Sequence, residues 1–535
     1  MKTKSFKAHF IFPPQSHRQR TYNKHQLLSK FSMKIRVTGK SNNNSKHSNS
    51  QAQCISKMKK AQVVFIPSSG LSHLVSTLEF AKLLINRDNR LRITVLVMKS
   101  PNTSETDAYI HSLPISDSLR IVNLPECSLP LNTDRASAMT ALPEAQKLNV
   151  KQAVSILTAE EQQYGPLAAF VVDMFCTTMI DVAKEFSVPA LIFFTSSVAS
   201  LGLSLHLHTL LEQDNLDSTQ LLQKNELAVP SFANSVPINL IPSFMLHKGW
   251  ESFFERYASG LKKSDGIIVN SFEELESHAV RSFFSHPDLA ALPIYPVGPL
   301  LNPEPKTEST ADSFDIIKWL DAQPPFSVVF LCFGTRGSFY ADQIQEIAHA
   351  IENSGVRFLW SLRKSSPSKG FRSVPSDYSV LDLVSLLPEG FLDRTSEIGK
   401  VIGWAPQTQI LAHPATGGFV SHCGWNSTLE SIYFGVPIAA WPLYAEQQAN
   451  AFELVCELKM GVEIALDYQG QFNGEYNYVV SAEKIERGIK SVLSVDGELR
   501  KKVKEMSEKC RKTLLESGSS YTYLGNLIDY IMNQV

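Results

Sequence analysis

The chain has 535 residues, 43% hydrophobic and 19% charged, with a formal net charge of −1. That length exceeds one hydrophobic core and implies two domains with additions. The near-zero charge argues against nucleic acid or an anionic membrane as partner, and seven scattered cysteines without a C-x-x-C pair fit reduced thiols rather than a disulfide framework or a zinc site.

The first 57 residues stand apart: they lack Asp and Glu, are rich in Lys and Arg, and carry the polar tract SNNNSKHSNSQAQ. No apolar run of secretory-signal length occurs there. Two readings remain. A disordered basic leader before a start at Met58 makes the protein cytoplasmic; an acid-poor transit peptide sends it to the plastid. The first is the expectation adopted.

From Ala61 buried strands alternate with amphipathic helices. AQVVFIP (61–67) reads as a strand, SSGLSH as a loop and LVSTLEFAKLLINR (74–87) as a helix. LRITVLVM (91–98), AAFVVDMF (168–175) and PALIFFT (189–195) read as further strands, with a helix at 177–187. The uncharged run from Phe186 to Leu211 contains Pro189, Gly202, His206 and His208. It is expected to be a buried strand, a turn and a buried helix, not a membrane span. Residues 297–312, VGPLLNPEPKTESTAD, look like a linker. The alternation then restarts: strands at 327–334, 357–362, 400–405, 417–422 and 437–442, and a helix at 341–355. The pattern predicts an α/β protein with two Rossmann-like doubly wound parallel sheets and a cleft between them. Ligands should sit outside the C-terminal ends of the strands.

The sequence His422-Cys423-Gly424-Trp425-Asn426-Ser427 falls where a strand gives way to a helix. Free backbone N–H groups and the helix dipole make such a turn an anion site. Asn426 and Ser427 add donors there, or serve only as helix caps; His422 can add another. Glu430 lies one turn further along the same helix. No D-x-D triplet is present, and no metal is expected. His73 follows the first strand in PSSGLSHL, and Asp173 ends the strand AAFVVD. Each is open to a structural reading, as a lone histidine and a helix-capping acid.

The 44 residues from Trp404 to Gln447 closely resemble the signature box of plant secondary-product UDP-glycosyltransferases, glycosyltransferase family 1. The resemblance extends from about Met58 to the end of the chain. It implies the GT-B fold, with an N-terminal acceptor domain at 58–297, a linker at 298–312 and a UDP-sugar domain at 313–517. A last helix, 518–535, would return to the first domain. It also implies that Trp404 stacks on uracil, Ala405 meets it through the main chain, Gln407 lies by the ribose and Glu430 accepts from ribose hydroxyls. His422, Trp425, Asn426 and Ser427 would surround the diphosphate. Glu446 and Gln447 would hold sugar hydroxyls, with Gln at 447 leaning toward glucose. Thr335, in the loop Phe333–Ser338, keeps a hydroxyl where members often carry Ser, and Thr195 matches a residue that touches the sugar. Arg336 departs from a usually uncharged position, toward phosphate or toward solvent.

By the same resemblance His73 is the general base and Asp173 its partner, although Ser69 and Ser72 replace the usual Pro and Gly. The expected activity is inverting, metal-independent O-glucosyl transfer from UDP-glucose, as co-substrate, to a small hydrophobic hydroxylated acceptor (a flavonoid or other phenolic, a terpenoid or a hormone-like compound), giving a β-glucoside and UDP. No further cofactor is implied and a monomer is expected. A non-catalytic UDP-sugar binder is the rival reading; intact His73 and Asp173 argue against it. A dinucleotide oxidoreductase would need a G-x-G-x-x-G after a first strand, which is missing.

Overall fold

The structure is a computed structural model that describes residues 59–98, 104–113, 116–127, 134–213, 218–301, 311–365, 375–470, 476–494 and 497–535. The leader at 1–57 and most of the expected linker lie outside the described residues.

The first sheet has seven strands: β1 (Ala61–Ile66), β2 (Leu91–Val97), β3 (Leu119–Asn123), β4 (Leu167–Asp173), β5 (Ala190–Phe194), β6 (Gly266–Val269) and β7 (Ile294–Pro296). Their spatial order is β3-β2-β1-β4-β5-β6-β7, and every pairing is parallel. The second sheet has six: β8 (Val328–Cys332), β9 (Arg357–Ser361), β10 (Gly399–Ile402), β11 (Thr416–Ser421), β12 (Ile438–Ala440) and β13 (Gly461–Glu463). Its order, β10-β9-β8-β11-β12-β13, repeats the winding of the first. Central strands are buried along their whole length, as in β1, β5, β8 and β11. Helices cover both faces of such sheets, so these segments read as unbroken apolar runs rather than alternations.

Seven helices matter for the site: α1 (Leu71–Arg87), α2 (Arg135–Ala159), α3 (Val198–Gln213), α4 (Glu251–Lys262), α5 (Trp425–Phe434), α6 (Gln447–Phe452) and α7 (Ser519–Met532). α7 buries Leu524, Leu527, Ile528 and Ile531 in one cluster with Val63, Phe65 and Phe193 of the first sheet. The Ser520 hydroxyl donates to the Gly298 carbonyl at 2.6 Å. The last helix therefore packs on the first sheet although it follows the second in sequence. No described helix is long and apolar enough to cross a membrane. The uncharged run at 186–211 forms β5 and most of α3.

Several boundaries differ from the sequence reading. α1 starts at Leu71 rather than 74, after Gly70 in an extended conformation, so His73 lies in the first helical turn and not in a loop. Residues 71–73 are not buried in the core, which leaves no apolar periodicity to announce that turn. The helix expected at 177–187 is a 3-10 turn, Thr177–Met179, followed by a short α-helix, Ile180–Glu185. The strand expected at 400–405 ends at Ile402, which leaves Trp404 and Ala405 in a loop. A Cβ on the intervening Gly403 would come within 2.3 Å of the Asp377 carboxyl, so a larger residue there would displace that side chain.

Candidate active site

In each sheet the strand order reverses between its first and fourth strands, β1 and β4 in one, β8 and β11 in the other. Connections leave such a point in opposite directions and open a crevice. The candidate residues collect at both crevices.

At the first, β1 runs through Pro67–Gly70 into α1 and delivers His73, while β4 ends on Asp173. Their side chains meet at 2.7 Å, Nδ1 to Oδ2. The Asp173 side chain is fully buried and that of His73 is 21% exposed. The other Asp173 oxygen accepts from the Phe175 main-chain N–H at 2.9 Å. Burial alone would lower the proton affinity of His73; the Asp173 charge and hydrogen bond outweigh it and raise the pKa above the ordinary histidine value. The Thr195 hydroxyl lies 3.4 Å from the same imidazole nitrogen. With Nδ1 held by a carboxylate, Nε2 is the nitrogen left free to take a proton.

At the second crevice, β11 leads through His422 and Cys423 into α5. The N-cap of α5 is Gly424, with no side-chain cap, so the first-turn N–H groups are left for another acceptor. Cys423 adopts φ +58°, a left-handed conformation that a non-glycine side chain disfavours and that tends to occur at functional turns. The His422 ring is enclosed by two glycines: a Cβ on Gly334 would lie 2.5 Å from Nε2, and one on Gly424 2.6 Å. Gly334 itself sits at φ +76° in the loop after β8. Burial pushes the His422 pKa down to about 4, so the ring is neutral at physiological pH. Its Nδ1 has no hydrogen-bond partner among the described residues.

Around α5 the remaining residues fall into three groups. Trp404 is half exposed and Ala405 nearly buried. The Gln407 amide donates to Ser427 Oγ at 2.9 Å and to Glu430 Oε2 at 2.7 Å, which brings these three side chains together. Burial raises Glu430 to about 7, against the pull of Gln407 and Thr408. Glu446 is raised by burial as well, and it exchanges charge effects with His73 across the two halves of the molecule. Ala445 before it has φ +59°, a second strained residue at this crevice. Gln447 is buried, and its carbonyl accepts from Leu443 and Tyr444 N–H at 2.9 and 3.0 Å, so only its NH2 end remains available. Thr335 is exposed. The positive charge of Arg336 acts on His73 and slightly opposes the rise in its proton affinity.

The Trp425 indole N–H donates to the Asn270 carbonyl, after β6, at 2.7 Å, while its main chain stays at the uncapped start of α5. The indole thereby ties the start of α5 to the segment after β6. Asn426 also reaches across, to Ser76 and Asn270.

The sequence reading missed an aromatic wall. Phe175 stands 5.3 Å from the His73 ring, and behind it are Phe253 and Tyr257 of α4, both about 6.0 Å from Phe175. Phe244 and Trp250 pack on Phe253. The aromatic-rich run GWESFFERY at 249–257 was the available signal, but nothing local ties it to His73.

Two doubly wound parallel sheets with apposed switch points constitute the GT-B architecture of nucleotide-sugar transferases. Residues 168–468 match the family model described as UDP-glucoronosyl and UDP-glucosyl transferase, and the chain belongs to that family as a plant UDP-glycosyltransferase of the hexosyl-transferring class. It is 50% identical over 486 residues to UDP-glucose flavonoid 3-O-glucosyltransferase 6 of Fragaria ananassa, covering 89% of this chain and 99% of that relative. A UGT transferase from Siraitia grosvenorii in complex with UDP superposes with a TM-score of 0.80 at 45% identity, over 88% of this chain and 100% of that one. Medicago truncatula UGT71G1 complexed with UDP-glucose gives a TM-score of 0.77 at 38% identity, over 88% and 98%.

Proposed function

We propose that this protein is an inverting, metal-independent O-glucosyltransferase that uses UDP-glucose and a small lipophilic acceptor, a flavonoid or another phenolic, and releases a β-glucoside and UDP. The observation that carries the reading is the 2.7 Å pairing of His73 with buried Asp173 at a switch point. In this mechanism His73 Nε2 takes the proton of the acceptor hydroxyl as its oxygen attacks C1 of the sugar. The C1–O bond to the diphosphate breaks on the opposite face, so the anomeric centre inverts. Asp173 holds the imidazole tautomer and stabilises the imidazolium that forms.

On the donor side the uncapped N-terminus of α5, with His422, Asn426, Ser427 and Thr335, is assigned to the diphosphate. Trp404 and Ala405 are assigned to uracil, Gln407 and Glu430 to ribose, and Glu446, Gln447 and Thr195 to glucose. The aromatic wall beside His73 supports a flat acceptor, and the flavonoid named for the Fragaria ananassa relative has that shape. Residues 58–297 and 313–517 are proposed as the acceptor and donor domains, with 518–535 returning to the first.

The test is mass-spectrometric detection of added hexose when protein starting at Met58 meets UDP-glucose and a panel of phenols, terpenoid alcohols and carboxylic acids. His73→Ala runs beside it. Glucosylation lost in the variant supports the assignment; equal yield from the variant removes His73 as the base.

A further inference from the structure

Asn270, one residue past β6, is fully buried and has no part in the mechanism above. Its side-chain oxygen accepts from the Leu300 main-chain N–H at 2.8 Å. A main-chain N–H can only donate, so this contact decides which end of the Asn270 amide is oxygen. The other end, Nδ2, then donates to Asn426 Oδ1 at 3.3 Å. Asn426 is thereby held with its oxygen toward Asn270 and its NH2 on the opposite side. In this structure that NH2 donates to Ser76 Oγ at 3.2 Å. Ser76 is three residues past His73 on α1, one turn along the helix that carries it.

The relay leaves little slack. A Cβ on Gly298 would come 2.8 Å from the Asn270 side-chain oxygen and 2.7 Å from the Ser271 nitrogen, so the 298–300 segment lies directly on Asn270. The Asn270 carbonyl is occupied by the Trp425 indole at 2.7 Å, which anchors the residue preceding Asn426. Every polar group of Asn270 for which a bond is described is used either to hold its own orientation or to hold the start of α5.

We propose that Asn270 is a positioning residue for the donor. It orients the Asn426 amide so that the free end is an N–H donor rather than a carbonyl, and Ser76 occupies that donor until a diphosphate takes it. The polarity matters because a carbonyl facing an anion repels it, whereas an N–H forms a charge-assisted bond. The inference rests on the reading of Asn426 as a diphosphate contact.

The test is a double-mutant cycle on the whole chain, with UDP affinity measured by calorimetry and uridine as the ligand that lacks the diphosphate. Asn426→Ala weakens UDP binding by about tenfold or more, the scale of one hydrogen bond to a charged group. Asn270→Ala weakens it about three- to tenfold when Asn426 is present, does little when Ala occupies 426, and leaves uridine affinity unchanged. Asn270→Asp keeps the volume and the Leu300 contact, and serves if the alanine variant yields too little folded protein. Its carboxylate calls for a donor from Asn426 and turns the amide around, so its effect on UDP exceeds that of alanine and shrinks when 426 is Ala. Equal weakening in both backgrounds, or parallel loss of uridine and UDP, would make Asn270 a plain structural residue and overturn the proposal while Asn426 keeps its role. No effect of Asn426→Ala on UDP would overturn the Asn426 reading and the relay with it.

Discussion

Replacing Asp173 by Asn keeps the side-chain volume but removes the charge and one acceptor of the His73 pair. The buried carboxylate accepts from two donors, His73 Nδ1–H and the Phe175 main-chain N–H. Asparagine has one carbonyl oxygen for these two. If the oxygen stays with Phe175, the NH2 end faces His73 Nδ1, which must then give up its proton and become an acceptor. The tautomer reverses and Nε2 carries the hydrogen, so it cannot act as a base. The charge is lost as well. Unit charges about 4 Å apart at an effective dielectric near 20 interact by about 4 kcal/mol, or about three decades in rate. The assay is kcat across pH with UDP-glucose saturating, beside a thermal melt and UDP calorimetry. The expected result is kcat lower by about 10³-fold with UDP affinity intact. The acid limb of the pH profile moves down as well. In the wild-type protein the Asp173 pair raises His73 above its ordinary pKa, so activity is lost as pH falls through that raised value. Without the carboxylate, burial dominates and the limb shifts to lower pH. A loss of less than tenfold, or an acid limb that stays in place, would refute the argument.

Three further outcomes follow from the donor side. Glu430 is held up to about 7 by burial, so below that pH the carboxyl proposed for the ribose is protonated and cannot accept from both hydroxyls. Uridine, which has no phosphate titrating nearby, should bind about tenfold more weakly per unit below pH 7, and Glu430→Gln should remove the dependence; a flat wild-type profile from pH 6 to 8 contradicts this. Trp404 is half exposed, so Trp404→Ala should leave the melting temperature nearly unchanged while weakening UDP binding by about 1–3 kcal/mol, the worth of one base–aromatic stack. Affinity within twofold of wild type would place uracil elsewhere. Gly334→Ala puts a Cβ 2.5 Å from His422 Nε2 at a backbone φ of +76°. It should cost about 1–2 kcal/mol in urea unfolding and raise KM for UDP-glucose several-fold, and an unchanged midpoint with unchanged KM would show that the loop yields freely.

The parts legible in the sequence are those encoded over a few neighbouring residues. Strand cores such as VVFI and VVFLC announce buried parallel strands because both faces of the sheet are covered. The HCGWNS turn, with Glu430 one helical turn beyond Asn426, can be read as a donor site because a strand-to-helix switch places N–H groups at a known spot. The first turn of α1 was invisible because it faces the crevice and carries no apolar repeat.

Long-range pairing is what a linear pattern cannot supply. His73 and Asp173 are 100 residues apart and meet only because β1 and β4 lie side by side in the sheet. Trp425 looked like part of the donor turn, and only its reach of 155 positions back to Asn270 shows where the indole goes. The Phe175 wall and the Asn270–Asn426–Ser76 relay likewise join segments with no shared local signal. Local chemistry on this chain specified the kinds of group available and the elements that carry them. The pairing of strands within each sheet, and the meeting of the two halves, decided which of those groups touch, because hydrogen bonds and ring contacts depend on distances in space that spacing along the chain does not determine.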